Sequence, residues 1–162
     1  MSLGVGWCLN NILSYPVLKD ETSGCSTPER FLEIIPIIDL FYFDVKETDP
    51  DRHLRYTGIS NRGILENLTL IDQTGGAIIL RCPIIPGLND RIDHFAAITR
   101  LANSLNHAQA VHVLPYHPLG TSKSLRLGKP VPLENVPRLE AAQVQDWIDQ
   151  IQRHTELPVL RD

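Results

Sequence analysis

Ile38-Asp39-Leu40-Phe41-Tyr42-Phe43-Asp44-Val45-Lys46 is a β-branched and aromatic run that ends in two opposite charges. That composition argues for a buried strand rather than a helix. Side chains alternate between the two faces of a strand, so Leu40, Tyr42, Asp44 and Lys46 share one face and Phe41, Phe43 and Val45 the other. A carboxylate and an ammonium therefore stand at the C-terminal mouth of an apolar strand. In parallel α/β architectures that mouth is where ligands bind. On these residues alone, a local ion pair closing the strand end is the simpler reading.

Upstream, Thr27-Pro28-Glu29-Arg30 reads as a helix start, with Thr27 as N-cap and Pro28 at the first helical position, where its missing N–H is no loss. Phe31, Leu32, Ile34 and Ile35 would face inward, and Pro36 ends that helix. A further strand is expected near residues 17 to 22. Downstream, Asp49-Pro50 repeats the cap-plus-proline signal for a short helix ending at Gly58. Asn61 would cap a longer helix, in which Ile64, Leu65, Leu68 and Ile71 keep helical spacing until Gly75-Gly76. Ala77 to Cys82 is the next strand, carrying Arg81 near its end. The stiff loop Pro83 to Asp90 offers Asn89 or Asp90 as cap for a helix whose inner stripe is Phe95, Ile98, Leu101, Ala102 and Leu105. Ala110 to Leu114 is the last expected strand and delivers Pro115-Tyr116-His117. Residues 118 to 137 read as a long loop rich in Pro, Gly and Ser, and a final helix shows Val144, Trp147, Ile148 and Ile151 on one face.

Strands alternating with helices predict an α/β fold: a partial (β/α) barrel of about four parallel strands with outer helices, joined by right-handed βαβ units. With 162 residues and 43% hydrophobic composition, one domain over residues 20–162 is expected, preceded by a lead-in, residues 4–19, of unassigned structure. So few strands cannot close a barrel, and an open parallel sheet exposes edge hydrogen-bonding groups. The edge beside the first strand is expected to be covered by self-association or by residues 4–19.

A net charge of -4 provides no basic footprint for nucleic acid or an acidic membrane. The N-terminal region lacks both a signal-peptide pattern and an apolar span, which with three widely spaced cysteines, Cys8, Cys25 and Cys82, leads to the expectation of a cytoplasmic protein with reduced thiols.

The expected strand ends all carry polar or ionisable groups: Asp20-Glu21-Thr22-Ser23-Gly24, Asp44 with Lys46, Arg81, and His117. If the strands are parallel, these gather on one rim. Carboxylates, cations, hydroxyls and an imidazole together suit a zwitterionic or nucleoside ligand, and no Gly-rich phosphate cradle is present. Strand ends also meet solvent as a rule, and the two readings weigh equally here.

In order and spacing, Glu21-Thr22-Ser23-Gly24, Asp44-Val45-Lys46, His53 with Tyr56-Thr57-Gly58, Ser60-Asn61, Arg81-Cys82-Pro83-Ile84-Ile85-Pro86-Gly87, Asn89-Asp90 and Leu114-Pro115-Tyr116-His117 with Leu119-Gly120 resemble the glycyl-radical-enzyme activating enzymes, radical S-adenosylmethionine proteins of the pyruvate formate-lyase activase type. The resemblance implies the C-terminal part of a (β/α)6 barrel. In the parent protein a four-iron four-sulfur cluster cleaves S-adenosylmethionine, and the resulting radical takes a hydrogen from a glycine of a partner such as pyruvate formate-lyase. It implies cofactor contacts for Lys46, His117, Asp44 and Arg81, and a monovalent cation held by Glu21, Thr22 and Asp44, Glu21 standing where the family more often has Asp.

Two features of that family have no counterpart: the CxxxCxxC cluster motif and the Gly-Gly-Glu segment that holds the cofactor's amino group. The expectation is therefore a fragment that is inactive alone and has no iron–sulfur ligands of its own. The alternative is a non-catalytic module that binds a nucleoside or the partner enzyme. The remaining histidines, His53, His94, His107, His112 and His154, show no convergent metal spacing and read as surface or core residues.

Overall fold

The computed structural model describes residues 17–116 and 139–162. The strands are β1 (Lys19–Thr22), β2 (Leu40–Asp44), β3 (Ile78–Ile84), β4 (Ala108–Pro115) and β5 (Val159–Arg161). The helices are α1 (Pro28–Ile34, followed by the 3-10 turn Ile35–Ile37), α2 (Pro50–Thr57), α3 (Arg62–Gln73), α4 (Ile92–Ser104) and α5 (Ala141–Gln152). Expected features at residues 4–16, at His117 and across the loop 118–137 lie outside the described residues.

All five strands are parallel and lie in the order in which they occur in the chain. Sequential order with crossovers of one hand places every connecting helix on the same side of the sheet. Phe41, Phe43, Val45, Ile78, Leu80, Cys82, Ile84, Val111 and Val113 form one continuous core with Phe31, Ile64, Leu68, Ile71, Phe95, Ile98 and the α5 stripe Val144, Trp147, Ile148 and Ile151. These strand residues all share one parity. The other parity, including Tyr42, Asp44, Arg81 and His112, looks away from the helices and is only partly covered. This one-sided winding is the wall of a (β/α) barrel, as the spacing of elements predicts. Each buried Phe contributes about 1.5–3 kcal/mol of hydrophobic stabilisation.

Local differences from the sequence reading have identifiable causes. β5 is an additional strand, paired with β4 through Val111↔Val159 and Val113↔Arg161, so the wall has five strands rather than about four. β3 runs on through Pro83, opposite Leu114, because a parallel neighbour needs no donor from that position; Arg81 is thereby an interior strand residue. Leu32 is exposed, since α1 turns only Phe31 fully inward. Thr27 makes no side-chain cap bond. By contrast Asp49 accepts from Arg52 N and Gly58 closes α2 at φ 79°, both as expected.

Candidate functional site

The open face of the sheet carries a chain of charges across three strands. Arg81 Nη1 lies 2.6 Å from Glu21 Oε2, and Arg81 Nε lies 3.4 Å from Asp44 Oδ1. Asp44 Oδ2 in turn lies 3.3 Å from Lys46 Nζ. The order arises from register, because Asp44 pairs with Arg81 across β2 and β3 and Arg81 with His112 across β3 and β4. Next to this row, Tyr42 meets the His112 ring edge-on at 6.1 Å, and Lys19 Nζ stands 5.7 Å from the Tyr42 ring centre. The His112 Nδ1 atom is 3.8 Å from Asp162 Oδ2, too long for a hydrogen bond.

Burial works against the Arg81 charge, but the hydrogen bond it donates to Glu21 and the fields of Asp44, Glu21 and Asp162 outweigh it and hold the guanidinium firmly protonated. Three buried polar atoms of this face, Asp44 Oδ1, Arg81 Nε and His112 Nδ1, lack a hydrogen-bond partner. The Arg81–Asp44 approach is thus an ion pair without a directed hydrogen bond. Unsatisfied groups of both polarities, with Lys46 and Glu21 exposed beside them, can serve a ligand carrying both a carboxylate and donors.

The expected site residues are placed unequally. Asp44, Lys46 and Arg81 converge on the open face. Glu21 joins them through Arg81. Thr22 does not: it occupies the helix-facing parity of β1, and its hydroxyl accepts from Gly24 N at 3.1 Å. A guanidinium, not an open oxygen cage, therefore lies between Glu21 and Asp44. Among the described residues no group of three or more His, Cys, Asp or Glu is arranged to hold a metal ion. His117 lies outside the described residues. Cys82 is buried on the helix side of β3, where burial and Asp44 push its thiol pKa up, and Cys25 is exposed, so these two thiols share no site.

Gly24 fixes the turn after β1. Its φ is 71°, and a Cβ there would collide with the Phe43 ring and approach Ile64 Cγ2 at 2.9 Å. Asn67 of α3 clamps the same turn, donating to Gly24 O at 2.9 Å and Ser26 O at 2.8 Å. The Glu21-Thr22-Ser23-Gly24 motif is therefore locked to the core directly below Glu21.

A second, buried network underlies the C-terminal mouth and was not legible as a site. Glu47, one residue beyond Lys46, turns inward to Arg91, whose Nη2 lies 3.1 Å from both carboxylate oxygens. Burial lowers the His94 pKa to about 4, with Arg91 acting in the same direction and Glu47 opposing. A neutral His94 accepts at Nδ1 from Thr48, whose hydroxyl is 2.8 Å away, so its 3.2 Å approach to Glu47 is not an ion pair near neutrality. The two expected helix caps are stitches instead. Asn61 donates to Glu47 O and Thr48 O, and Asn89 donates to Lys46 O and Pro83 O while accepting from Ile85 N. Asparagine before a helix signals a cap in sequence; only tertiary packing diverts its amide to another loop.

No family model matches the chain. In sequence the chain is related to the glycyl-radical-enzyme activating enzymes. It is 38% identical over 135 residues to the indoleacetate decarboxylase activating enzyme of Tractidigestivibacter scatoligenes, covering 83% of this chain and 42% of that protein. It is 34% identical over 108 residues to the pyruvate formate-lyase-activating enzyme of Streptococcus mutans, covering 67% of this chain and 41% of that protein. The chain thus spans less than half the length of these relatives. In fold it is similar to a domain of a pyruvate-formate lyase-activating enzyme from Bacteroides vulgatus, with a TM-score of 0.70 at 19% identity over 89% of this chain and 80% of that one. A radical SAM methyltransferase from Sphaerobacter thermophilus aligns with a TM-score of 0.58 at 14% identity, over 89% of this chain and 39% of the other.

Proposed function

We propose that this relative of the activating enzymes is the C-terminal part of such an enzyme, and that its open sheet face forms the S-adenosylmethionine side of the active site. The observation that carries the reading is the row Glu21–Arg81–Asp44–Lys46, gathered on the helix-free face towards the C-terminal ends of three parallel strands. S-adenosylmethionine is zwitterionic in its amino-acid part, and the residues present fit it. Lys46 and the unpartnered Arg81 Nε can meet the carboxylate, and the unpartnered Asp44 Oδ1 can accept from an ammonium or hydroxyl. His117 would lie near the adenine. A monovalent cation at Glu21, Thr22 and Asp44 does not fit this arrangement, because Arg81 lies between the two carboxylates and Thr22 faces the helix side of β1.

In the parent enzymes the bound cofactor supplies a deoxyadenosyl radical on reductive cleavage. The four-iron four-sulfur cluster that furnishes the electron needs several converging thiolates, and Cys25 and Cys82 do not supply them. The chain alone would therefore bind and orient the cofactor without cleaving it. Its partner would be pyruvate formate-lyase or a similar glycyl radical enzyme in the cytoplasm. The outer edge of β1 would be covered by the lead-in 4–19 or by self-association, the latter readable as a dimer in sedimentation.

Calorimetry with S-adenosylmethionine tests this reading, alongside Lys46→Ala and His117→Ala. Binding that both substitutions weaken is expected. Absence of binding at millimolar ligand, both by this chain and after adding the missing half in trans, would overturn it. Binding without any cleavage once a cluster-bearing half is supplied would favour the second reading, a non-catalytic nucleoside- or partner-binding module, for which the sequence's lack of a CxxxCxxC motif is the specific support.

A further inference from the structure

Lys46 lies beyond the paired part of β2. The register of β2 with β3 ends at Asp44↔Arg81, and a further backbone bond, from Val45 N to Arg81 O at 2.7 Å, closes it. The bridge that follows is a side chain. Asn89 Nδ2 donates to Lys46 O at 2.9 Å and to Pro83 O at 2.8 Å, while Asn89 Oδ1 accepts from Ile85 N at 2.7 Å. Asn89 is 3% exposed, so water cannot readily replace these bonds.

Asn89 caps no helix, because α4 begins at Ile92 behind Arg91. Its own place is set by the turn that carries it. Asn89 N donates to Ile85 O at 3.3 Å, and Gly87, at φ 75°, donates its N–H to Asp90 Oδ1 at 2.7 Å. From the other side Asn61 donates to Glu47 O at 3.3 Å and to Thr48 O at 3.2 Å. Two buried amides thus grip three successive carbonyls, those of Lys46, Glu47 and Thr48. Val45 and Glu47 are buried, whereas the Lys46 side chain between them is 43% exposed, with Nζ 3.3 Å from Asp44 Oδ2. A lysine side chain is flexible and strongly hydrated, so its orientation has to come from the backbone that carries it. Rotation of the segment after β2 would swing the ammonium away from Asp44, and the bond to Lys46 O opposes that rotation.

We propose that Asn89 is a positioning residue for Lys46, holding the Lys46 carbonyl so that the ammonium stands on the open face beside Asp44, where a ligand carboxylate would meet it. The proposal rests on the reading of Lys46 as a contact for S-adenosylmethionine. Its chemistry requires two donors for two carbonyls and one acceptor for an N–H at the end of a short side chain, which is the inventory of asparagine. A carboxylate of the same shape would set a negative charge against both carbonyls.

The test uses the full 162-residue chain with Asn89→Asp, with Asn89→Ser, which keeps one donor and adds no charge, with Lys46→Met, and with each Asn89 substitution combined with Lys46→Met. The first readout needs no ligand: it is the NMR signal of the Asp44 side-chain carboxyl carbon. Lys46→Met removes the ammonium from that carboxylate, and both Asn89 variants should shift the signal in the same direction, Asn89→Ser less than Asn89→Asp. Beside Lys46→Met, Asn89→Ser should leave it in place. The second readout is calorimetry with S-adenosylmethionine. Asn89→Asp is expected to weaken binding about tenfold in the wild-type background and less than about twofold beside Lys46→Met. A purely structural Asn89 would weaken both backgrounds alike. Equal losses in the two backgrounds, or an Asp44 signal that stays in place in folded Asn89→Ser, would each overturn the proposal. If the wild-type chain binds no S-adenosylmethionine while the Asp44 signal shifts as expected, the cofactor reading fails and the positioning of Lys46 stands.

Discussion

Arg91 grips Glu47 with both terminal nitrogens, at 3.1 Å each, although 44 positions separate the two residues. The pair bolts the loop after β2 to the start of α4. Arg91 is also held by Asp93 at 3.1 Å, and it donates to Leu88 O, so it has other partners if Glu47 is lost. Among the described residues Glu47 has no second cation within 4 Å apart from the His94 contact.

Removing Arg91 should therefore be the more damaging change. Arg91→Met strands a buried carboxylate and is expected to destabilise the chain by about 3–5 kcal/mol. Glu47→Gln keeps the shape and one acceptor and should cost only about 1–2 kcal/mol. Urea unfolding of the two variants measures the difference, and equal losses would show that the pair is not asymmetric.

Acid should weaken the fold first through His94. Its pKa falls to about 4 on folding, below the ordinary value of about 6.5. Between those values the unfolded chain binds the proton and the folded chain does not, so this contribution is complete above about 6.5 and is lost as pH falls towards 4. His94→Asn retains an acceptor for Thr48 without titrating. The stability gap between wild type and variant should shrink by roughly 2–4 kcal/mol between pH 7 and pH 4. Thermal melts across that window check it; a constant gap would remove His94 from the account.

Two glycines with positive φ should respond differently to alanine. At Gly58 an added Cβ would meet nothing within 4 Å, so Gly58→Ala carries only the backbone cost, about 1 kcal/mol. Gly24 adds the clash with Phe43 and Ile64, and Gly24→Ala should cost about 2–4 kcal/mol. Equal denaturation midpoints for the two variants would mean that the Phe43 ring can move aside.

Arg81→Met separates a ligand role from a structural one. The substitution should lower S-adenosylmethionine affinity by about tenfold or more, while stability falls by less than about 2 kcal/mol, since Glu21 is exposed and Asp44 keeps Lys46. Paired calorimetry and melting give both numbers. Unchanged affinity would confine Arg81 to pairing carboxylates.

The winding of the sheet was readable because it depends on period alone. Phe41, Phe43 and Val45 against Leu40, Tyr42 and Asp44 set the two faces of β2 before any partner is known, and Pro50 and Gly58 mark α2 by chain-local chemistry. The convergence of Asp44, Lys46 and Arg81 was anticipated, but the reach of Arg81 across β2 to Glu21 follows from the order β1-β2-β3 and from a side-chain conformation that no period in the sequence encodes. β5 escaped notice because three residues carry no period. Glu47, Arg91 and His94 escaped for a different reason: charged residues ordinarily face solvent, and only a partner distant in sequence makes burial tolerable. Asn61 and Asn89 illustrate the same limit, since an amide advertises its hydrogen bonds without naming where they go.

Register also makes the open face a ruler. Asp44, Arg81 and His112 are Cα partners on successive strands, so they stand at one height, spaced by the strand separation of about 4.8 Å. The side chains do not keep that even spacing: the Arg81 guanidinium leans from β3 back across β2 to reach Glu21 on β1, so the positive charge stands between two carboxylates while the His112 imidazole is left on its own strand. One backbone register thus yields two unlike neighbourhoods on one level of the sheet, a crowded ionic one over β1 and β2 and a sparse one over β4.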